Sequence, residues 1–300
     1  MNSETQNKTF GLDRGNLKMI ALFCMALDHS GIAFLDPLMM RVIPGTYQSF
    51  LLSCAYYFLR LVGRRAFPIF CFFVVEGLKY TRSVFKYGLR MAFLAIVSEI
   101  PFDLVAKHKV FCWQSQNVFL TLLIGLIVIY NIDGIRKKFK INFVVKKIFI
   151  FFVALAGIII SEDLYTDYGS IGVLTIVAIY LLGEKEYALT IIINIFAQFI
   201  RYGVDSYKYM PFMLFMMFLI TGTAFLFVCL LIRDDNCRKM YGAGVVLTSF
   251  NVLEISALVN VALIKLYNGQ KGRKIGWLFY IFYPAHLALY AGLMKLFGLL

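Results

Sequence analysis

One stretch of the chain, LKMIALFCMALDHSGIAFL (Leu17–Leu35), indicates what kind of protein this is. Nearly all of its residues are apolar, and as a helix rising about 1.5 Å per residue it approaches the thickness of a bilayer core. It nevertheless contains two adjacent ionisable side chains, Asp28 and His29. Because a charge in hydrocarbon costs several kcal/mol unless it is paired or hydrated, this pair marks a membrane helix with a functional role.

The rest of the chain has the same character. Of its 300 residues, 61% are hydrophobic and 16% are charged, whereas soluble domains carry about 25% charged residues. This composition excludes a disordered chain, a collagen and an ordinary soluble enzyme, and it predicts an all-α polytopic integral membrane protein with about ten transmembrane or re-entrant helices. The ten candidate spans are Leu17–Leu35, Tyr47–Leu78, Val84–Leu104, Val118–Ile132, Phe143–Ile160, Ser170–Leu182, Tyr187–Ile200, Pro211–Ile232, Gly244–Leu266 and Gly276–Leu299.

The second candidate span is unusual in two respects. Tyr47–Leu78 is too long for one perpendicular crossing, and it contains three arginines and a proline, Pro68. It is either a single tilted helix kinked at the proline or a half-helix that leads into a true span.

The distribution of basic residues predicts the orientation. The net charge is +13, and the bases lie in short loops between apolar runs, where they act as topology signals and contact anionic lipids. With a cytoplasmic segment 1–16 followed by one transmembrane domain, 17–300, the inside segments carry twice as many Lys and Arg as the outside loops. We therefore expect a multi-pass protein of the cell membrane with a cytoplasmic N-terminus. Ten crossings would return the C-terminus to the same side and leave the basic loop Asn268–Lys274 outside. If the ninth segment is re-entrant, the C-terminus instead lies on the other side.

Other classes of function lack support in the sequence. The six cysteines are scattered without a CxxC pair, and no Cys/His cluster has zinc spacing, so no metal site is predicted. The sequence contains no nucleic-acid module, and we expect no nucleic-acid partner.

Two of the three histidines lie in apolar runs. His29 is a candidate general base, with Asp28 or another carboxylate to orient it. His286, in FYPAHLALY, lies near the middle of the last candidate span and is a second candidate base or an oxyanion donor. Histidines that only satisfy neighbouring helices are the alternative for both positions.

Arg60, Arg64 and Arg65 are the candidate cations of the second span, and Glu99 and Asp103 form an acidic pair four residues apart. Two neighbouring carboxylates are costly to ionise together without cations. The arginines either contact the phosphates of a donor substrate or pair with Glu99 and Asp103 in an ion-pair network that joins helices.

Seven stretches, in order along nearly the whole chain, resemble the TraX family, which is named for a plasmid-transfer protein that N-acetylates pilin. They are Leu17–Phe34, Gly63–Arg90, Ser98–Leu104, Gln116–Gly125, Thr166–Leu174, and Asn268–Lys274 with Phe279–Tyr290. The resemblance implies a multi-spanning acyltransferase that uses acetyl-CoA as the acyl donor. It adds Gln116 and Asn117, which open one of these stretches, to the substrate-binding residues Arg60, Arg64, Arg65, Glu99 and Asp103.

Two functions therefore remain open from the sequence. The first is transfer of an acetyl or another short acyl group to an amine or hydroxyl acceptor, which is a peptide, a glycan or a lipid. The second is a proton-coupled transporter or permease, because buried His, Asp and Glu suit a proton relay equally well. The sequence shows no clear repeat symmetry, and this favours the acyltransferase.

Overall fold

The computed structural model of the chain describes residues 11–43, 46–138, 142–182, 263–270, 272–273 and 276–300. In these residues the prediction of an all-α fold is confirmed, because they contain helices and no strand, with two isolated bridges between single residues. The helices are α1 (Arg14–Ser30), α2 (Asp36–Arg41), α3 (Tyr47–Gly63), α4 (Ala66–Tyr80), α5 (Val84–Lys107), α6 (Val118–Lys138), α7 (Phe143–Asp163), α8 (Gly169–Leu182) and α9 (Gly276–Leu296). A π-helical turn, Gly31–Leu35, joins α1 to α2.

Within the described part of the chain, four helices are long and apolar enough to cross a membrane. They are Arg14–Arg41, Val118–Lys137, Phe143–Asp163 and Gly276–Leu296. The predicted number of about ten is not confirmed, and the candidate spans Tyr187–Ile200 and Pro211–Ile232, with most of Gly244–Leu266, lie outside the described residues. Helix α7 is the most exposed of the four, with 6% of its most apolar window buried, as expected for a helix that faces lipid.

The second candidate span is two helices. Helix α3 ends at Gly63, Arg64 and Arg65 form the turn, and α4 begins at Ala66. The break therefore precedes Pro68, which lies in the first turn of α4, where a proline costs no hydrogen bond. Of the two predicted alternatives, the single kinked helix is not observed, and α3 leads into a second helix, α4, which is not among the four helices long and apolar enough to cross a membrane.

Gly63 shows why the chain breaks where it does. A Cβ atom at this position would lie 2.3 Å from the Cβ atom of Asp28 and 2.6 Å from its Cα atom. Only glycine allows the end of α3 to approach α1 so closely. The turn between α3 and α4 is thereby held at the level of Asp28 and His29.

Helix α9 runs parallel to α1. The amide N–H of Leu12 donates to the carbonyl oxygen of Leu266 at 2.8 Å, and the N–H of Arg14 donates to that of Gln270 at 2.9 Å. At the other end of the bundle, the Arg41 guanidinium donates to the carbonyl oxygen of Gly298. The expectation that both termini share a side is therefore wrong, because the two helices begin together and end together.

The same arrangement removes a difficulty with the charge distribution. Lys265 and Arg273 belong to a segment that lies at the N-terminal end of α1, and not at the opposite end as predicted. The basic loop is thus on the side where the positive-inside rule places such loops if the N-terminus is cytoplasmic.

Glu76 of α4 fastens this end of the bundle. Its Oε1 atom accepts from the Arg14 guanidinium at 2.9 Å and from the Tyr267 hydroxyl at 2.6 Å. Burial, together with the hydrogen bond to Glu76, raises the pKa of Tyr267 to about 12, so the phenol remains a donor at neutral pH.

Candidate functional site

The two histidines of the membrane helices contact each other. Nδ1 of His29 on α1 lies 2.7 Å from Nε2 of His286 on α9. Both side chains are buried, with 8% and 6% of their surfaces exposed, and their ring centres are 5.0 Å apart. The parallel packing of α1 and α9 brings the two residues to the same depth.

The hydrogen bonds of His286 determine which nitrogen carries each proton. Nδ1 of His286 lies 2.7 Å from the carbonyl oxygen of Phe282, which only accepts. In a neutral His286, Nδ1 is therefore the donor and Nε2 is an acceptor. It follows that His29 donates from Nδ1 and carries a free electron pair on Nε2.

Aromatic side chains surround the pair. The ring of Tyr283 meets both imidazoles edge-on, with ring centres 5.9 Å from His29 and 5.7 Å from His286. Tyr290 packs against His286 at 5.6 Å, and its hydroxyl donates to the carbonyl oxygen of Ala26 at 3.2 Å. The π-helical turn starts two residues after His29, and such turns occur most often at functional sites.

Asp28 does not orient His29, contrary to the prediction. Its Oδ2 atom accepts from Nη1 of Arg60 at 2.6 Å, and the hydrogen-bond partner of His29 is His286. The reason is geometric, because adjacent residues of a helix point about 100° apart. Asp28 therefore joins α1 to α3, while His29 faces α9.

The turn between α3 and α4 adds further cations beside this ion pair. The guanidinium groups of Arg60 and Arg64 both attract the Asp28 carboxylate electrostatically. The Arg64 guanidinium also lies 5.5 Å from the ring centre of Tyr168. Arg65 is half-buried, and its Nε atom has no hydrogen-bond partner among the described residues. Positive charge is thus concentrated next to the histidine pair.

Glu99, the first member of the predicted acidic pair, holds an amide side chain. Nδ2 of Asn117 donates to Oε2 of Glu99 and, at 2.6 Å, to the carbonyl oxygen of Ala95. Oδ1 of Asn117 accepts from the N–H of Phe119 at 3.0 Å and so caps α6. These contacts join α5 to α6.

Asp103 and Gln116 order the loop between those two helices. Oδ2 of Asp103 accepts from the N–H of Cys112 at 2.6 Å. The N–H of Gln116 donates to the carbonyl oxygen of Tyr165 at 2.9 Å, and its Nε2 donates to that of Trp113 at 3.0 Å. Arg60 therefore does not pair with Glu99 or Asp103 as predicted, because its ion pair is with Asp28. Asp103 instead accepts a hydrogen bond from the loop.

A separate cavity of about 250 Å³ lies toward the N-terminal ends of α1 and α9. Its wall includes Arg14, Lys18 and Arg90, together with Glu76 and several aromatic rings. The sequence did not single out Arg14 and Lys18, because they were counted only as topology signals. The four-residue spacing of Arg14 and Lys18, which puts both on one face of α1, is the signal that was available.

Two aromatic rings lie between the cavity and the histidines. Phe119 lines the cavity, and its ring meets that of Tyr283 edge-on at 4.8 Å. Tyr283 in turn contacts His29 and His286. One pair of side chains therefore separates the basic cavity from the imidazoles.

The chain is similar to known proteins over most of its length. A family model described as "TraX protein" matches residues 13–223. A protein of Dichelobacter nodosus named "Probable fimbrial assembly protein FimC, serogroup H1" is 28% identical over 283 residues, which cover 91% of this chain and 92% of that protein. No solved structure matches the chain.

Proposed function

Since the chain belongs to the TraX family, we propose that it is a membrane-embedded acyltransferase with His29 as its general base. It transfers an acetyl or another short acyl group from a thioester, with acetyl-CoA as the donor substrate, to an amine or hydroxyl acceptor. The observation that carries the proposal is the hydrogen bond from His29 to His286, which leaves Nε2 of His29 with a free electron pair. Among the described residues, no hydrogen bond involves that nitrogen.

The reaction has two proton transfers, and His29 serves both. Nε2 of His29 takes a proton from the acceptor as its nitrogen or oxygen attacks the thioester carbonyl carbon. A C–N or C–O bond forms, the C–S bond breaks, and the leaving thiolate takes the proton from Nε2. His286 acts as a positioning residue, because its bond to Nδ1 of His29 holds the ring and its tautomer.

The cations at the turn between α3 and α4 suit the charge that develops during this step. The tetrahedral intermediate places a negative charge on the former carbonyl oxygen, which a nearby guanidinium stabilises. Arg60 is already paired with Asp28, so we assign this role to Arg65 of the turn, whose Nε atom has no hydrogen-bond partner among the described residues.

A peptide amine is the first acceptor to test. The matching protein of Dichelobacter nodosus is named for fimbrial assembly, and the family takes its name from a protein that acetylates pilin. Both observations favour an amine of a pilin-like subunit over a glycan or a lipid.

The proposal is tested by supplying radiolabelled acetyl-CoA to membranes that contain the full chain and identifying the labelled product by mass spectrometry. We expect His29→Ala to reduce transfer by about 10²- to 10⁴-fold, the usual contribution of a general base. His108→Asn is the matched control, because His108 lies in the loop after α5 and its left-handed backbone, with φ of 55°, suits asparagine. Full transfer by the His29 variant would remove this residue from the mechanism.

A proton-coupled transporter is the second candidate, and the same pair of imidazoles favours it. The hydrogen bond between His286 and His29 also suits the passage of a proton from one imidazole to the other. Proton uptake into vesicles that contain the protein but no acyl donor, abolished by His29→Ala, would favour this function. The transporter function, however, does not explain the cavity lined by Arg14, Lys18 and Arg90.

A further inference from the structure

We propose that the cavity lined by Arg14, Lys18 and Arg90 binds the phosphate groups of the acyl donor. This inference rests on the proposed function and adds to it a binding site for the phosphates of the donor. The site lies about 16 Å from His29 along the axis of α1. It differs from the sequence-based expectation, which assigned the phosphates to Arg60, Arg64 and Arg65.

The charge of the cavity is the first argument. Arg14 is neutralised by Glu76, with 2.9 Å between Nη2 and Oε1. Lys18 and Arg90 make no ion pair with a carboxylate among the described residues, although both face the same space. An unneutralised pair of cations in a concave site at the membrane edge attracts an anionic ligand.

The position of Lys18 is the second argument. Its ammonium nitrogen lies 5.3 Å from the ring centre of Phe73 and 5.2 Å from that of Phe279. The two rings hold the side chain of Lys18, which is half-buried on a helix of the membrane region. A cation kept at that depth and held by aromatic faces is an ordered donor to phosphate, unlike a lysine on a flexible loop.

Tyrosines frame the opening of the cavity. The Arg90 guanidinium lies 6.0 Å from the ring centre of Tyr87 and 5.9 Å from that of Tyr280, and that of Arg14 lies 5.4 Å from the ring centre of Tyr80. A phosphate that enters meets cations whose positions are already restricted. The volume of about 250 Å³ is slightly below that of pockets for whole small molecules. It therefore suits the phosphates and the adjoining arm of a donor, and leaves the nucleoside at the rim.

The distance to the histidines agrees with a long thioester donor. Lys18 and His29 are 11 residues apart on α1, which corresponds to about 16 Å along the helix axis. The flexible arm that separates the phosphates of coenzyme A from its sulfur suits such a distance. The arm would pass Phe119, which lines the cavity and packs on Tyr283.

The test measures binding of unacylated coenzyme A to the purified full chain in nanodiscs, by calorimetry. We expect the double variant Lys18→Gln and Arg90→Gln to bind roughly tenfold to a hundredfold more weakly, since two charge-assisted contacts are lost. Lys18→Arg, which retains the charge, should lose far less. The matched control is Arg82→Gln with Lys86→Gln, which removes two exposed cations at the same end that do not line the cavity.

Equal affinity of the Lys18/Arg90 variant and the unmodified protein would overturn the proposal, as would an equal loss in the control variant. A lipid phosphate is the other source of the same chemistry. If coenzyme A does not bind, but anionic lipid in the nanodisc associates with the unmodified protein and not with the Lys18/Arg90 variant, the cavity belongs to a lipid headgroup and the proposal is overturned.

The variant His29→Ala separates this inference from the proposed function. It should bind coenzyme A with unchanged affinity and transfer no acyl group. Cavity-dependent binding without any transfer by the unmodified protein would refute the acyltransferase and leave the phosphate site standing. Transfer that depends on His29, with binding indifferent to Lys18 and Arg90, would do the reverse.

Discussion

Nδ1 of His29 and Nε2 of His286 lie 2.7 Å apart although 257 residues separate them in the chain. Neither ring has a carboxylate partner among the hydrogen bonds of the described residues, so His286 takes the part that an acidic residue has in many catalytic pairs. The second histidine fixes the tautomer of the first without adding a negative charge to the membrane interior. Replacement of His29 and replacement of His286 should therefore have different effects on the reaction, because only the first removes the proposed base.

We predict that His286→Ala lowers kcat by about tenfold to a hundredfold and leaves KM for the acyl donor nearly unchanged. His29 would still be able to accept a proton, but its Nδ1 atom would lose its hydrogen-bond partner. The ring proton of His29 would then distribute between the two nitrogens. Nitrogen NMR of labelled histidine measures this directly. A spectrum that still shows a single Nδ1–H tautomer for His29 in the variant would contradict the assignment.

The ion pair between Asp28 and Arg60 should be strongly coupled. Both side chains are largely buried, with 12% and 13% exposed, and removal of one partner from a buried pair costs about 3–5 kcal/mol. We expect Asp28→Asn and Arg60→Gln each to lower the unfolding temperature in detergent, and the double variant to be less destabilised than the two single effects added together. Simple additivity would show that the pair contributes no coupling.

Gly63→Ala should destabilise the protein, because the added methyl group would overlap Asp28. Overpacking of this kind costs about 1–3 kcal/mol. The control is Gly134→Ala in α6, where a Cβ atom meets nothing within 4 Å, and the better helix propensity of alanine should leave stability unchanged or slightly higher. Thermal unfolding of both variants in the same detergent makes the comparison, and equal unfolding temperatures would refute the close approach.

Asn117→Ala distinguishes a structural role from the substrate-binding role predicted from the sequence. The variant loses the cap of α6 and the bonds to Glu99 and Ala95, so we expect stability to fall by about 1–2 kcal/mol. Activity per folded molecule should keep its KM for acceptor and donor. A raised KM with normal stability would return Asn117 to the substrate site.

The parallel packing of α1 and α9 predicts a labelling pattern. In a chain without other reactive cysteines, Gln270→Cys and Gln114→Cys should react with an impermeant reagent from opposite sides of the membrane, and Leu300→Cys should react from the same side as Gln114→Cys. All three residues are exposed. Labelling of Gln270→Cys and Leu300→Cys from one side would rule out the observed direction of α9.

Some of this site follows from local sequence and some does not. Asp28 and His29 stand out because an apolar helix surrounds them, and His286 stands out for the same reason. Their partners do not follow, because hydropathy reports the depth of a residue and not the direction in which it points. Asp28 and His29 are neighbours in the chain, yet one faces α3 and the other faces α9.

The direction predicted for α9 from ten crossings was wrong, because it depended on counting every crossing that precedes this helix. Alternation of crossings is a count, and three of the counted spans, those between Leu182 and α9, lie wholly or mostly outside the described residues. The basic loop before α9 was the local observation that conflicted with the count. The backbone hydrogen bonds of Leu12 and Arg14 show that the loop was the better guide.

The bond between α1 and α9 also has a consequence for biogenesis. His29 lies on α1 and His286 lies on α9, so His29 is synthesised long before its partner. Until α9 inserts alongside α1, His29 lacks the neighbour that holds the proton on its Nδ1 atom. The complete histidine pair therefore forms only after the last described helix has been inserted.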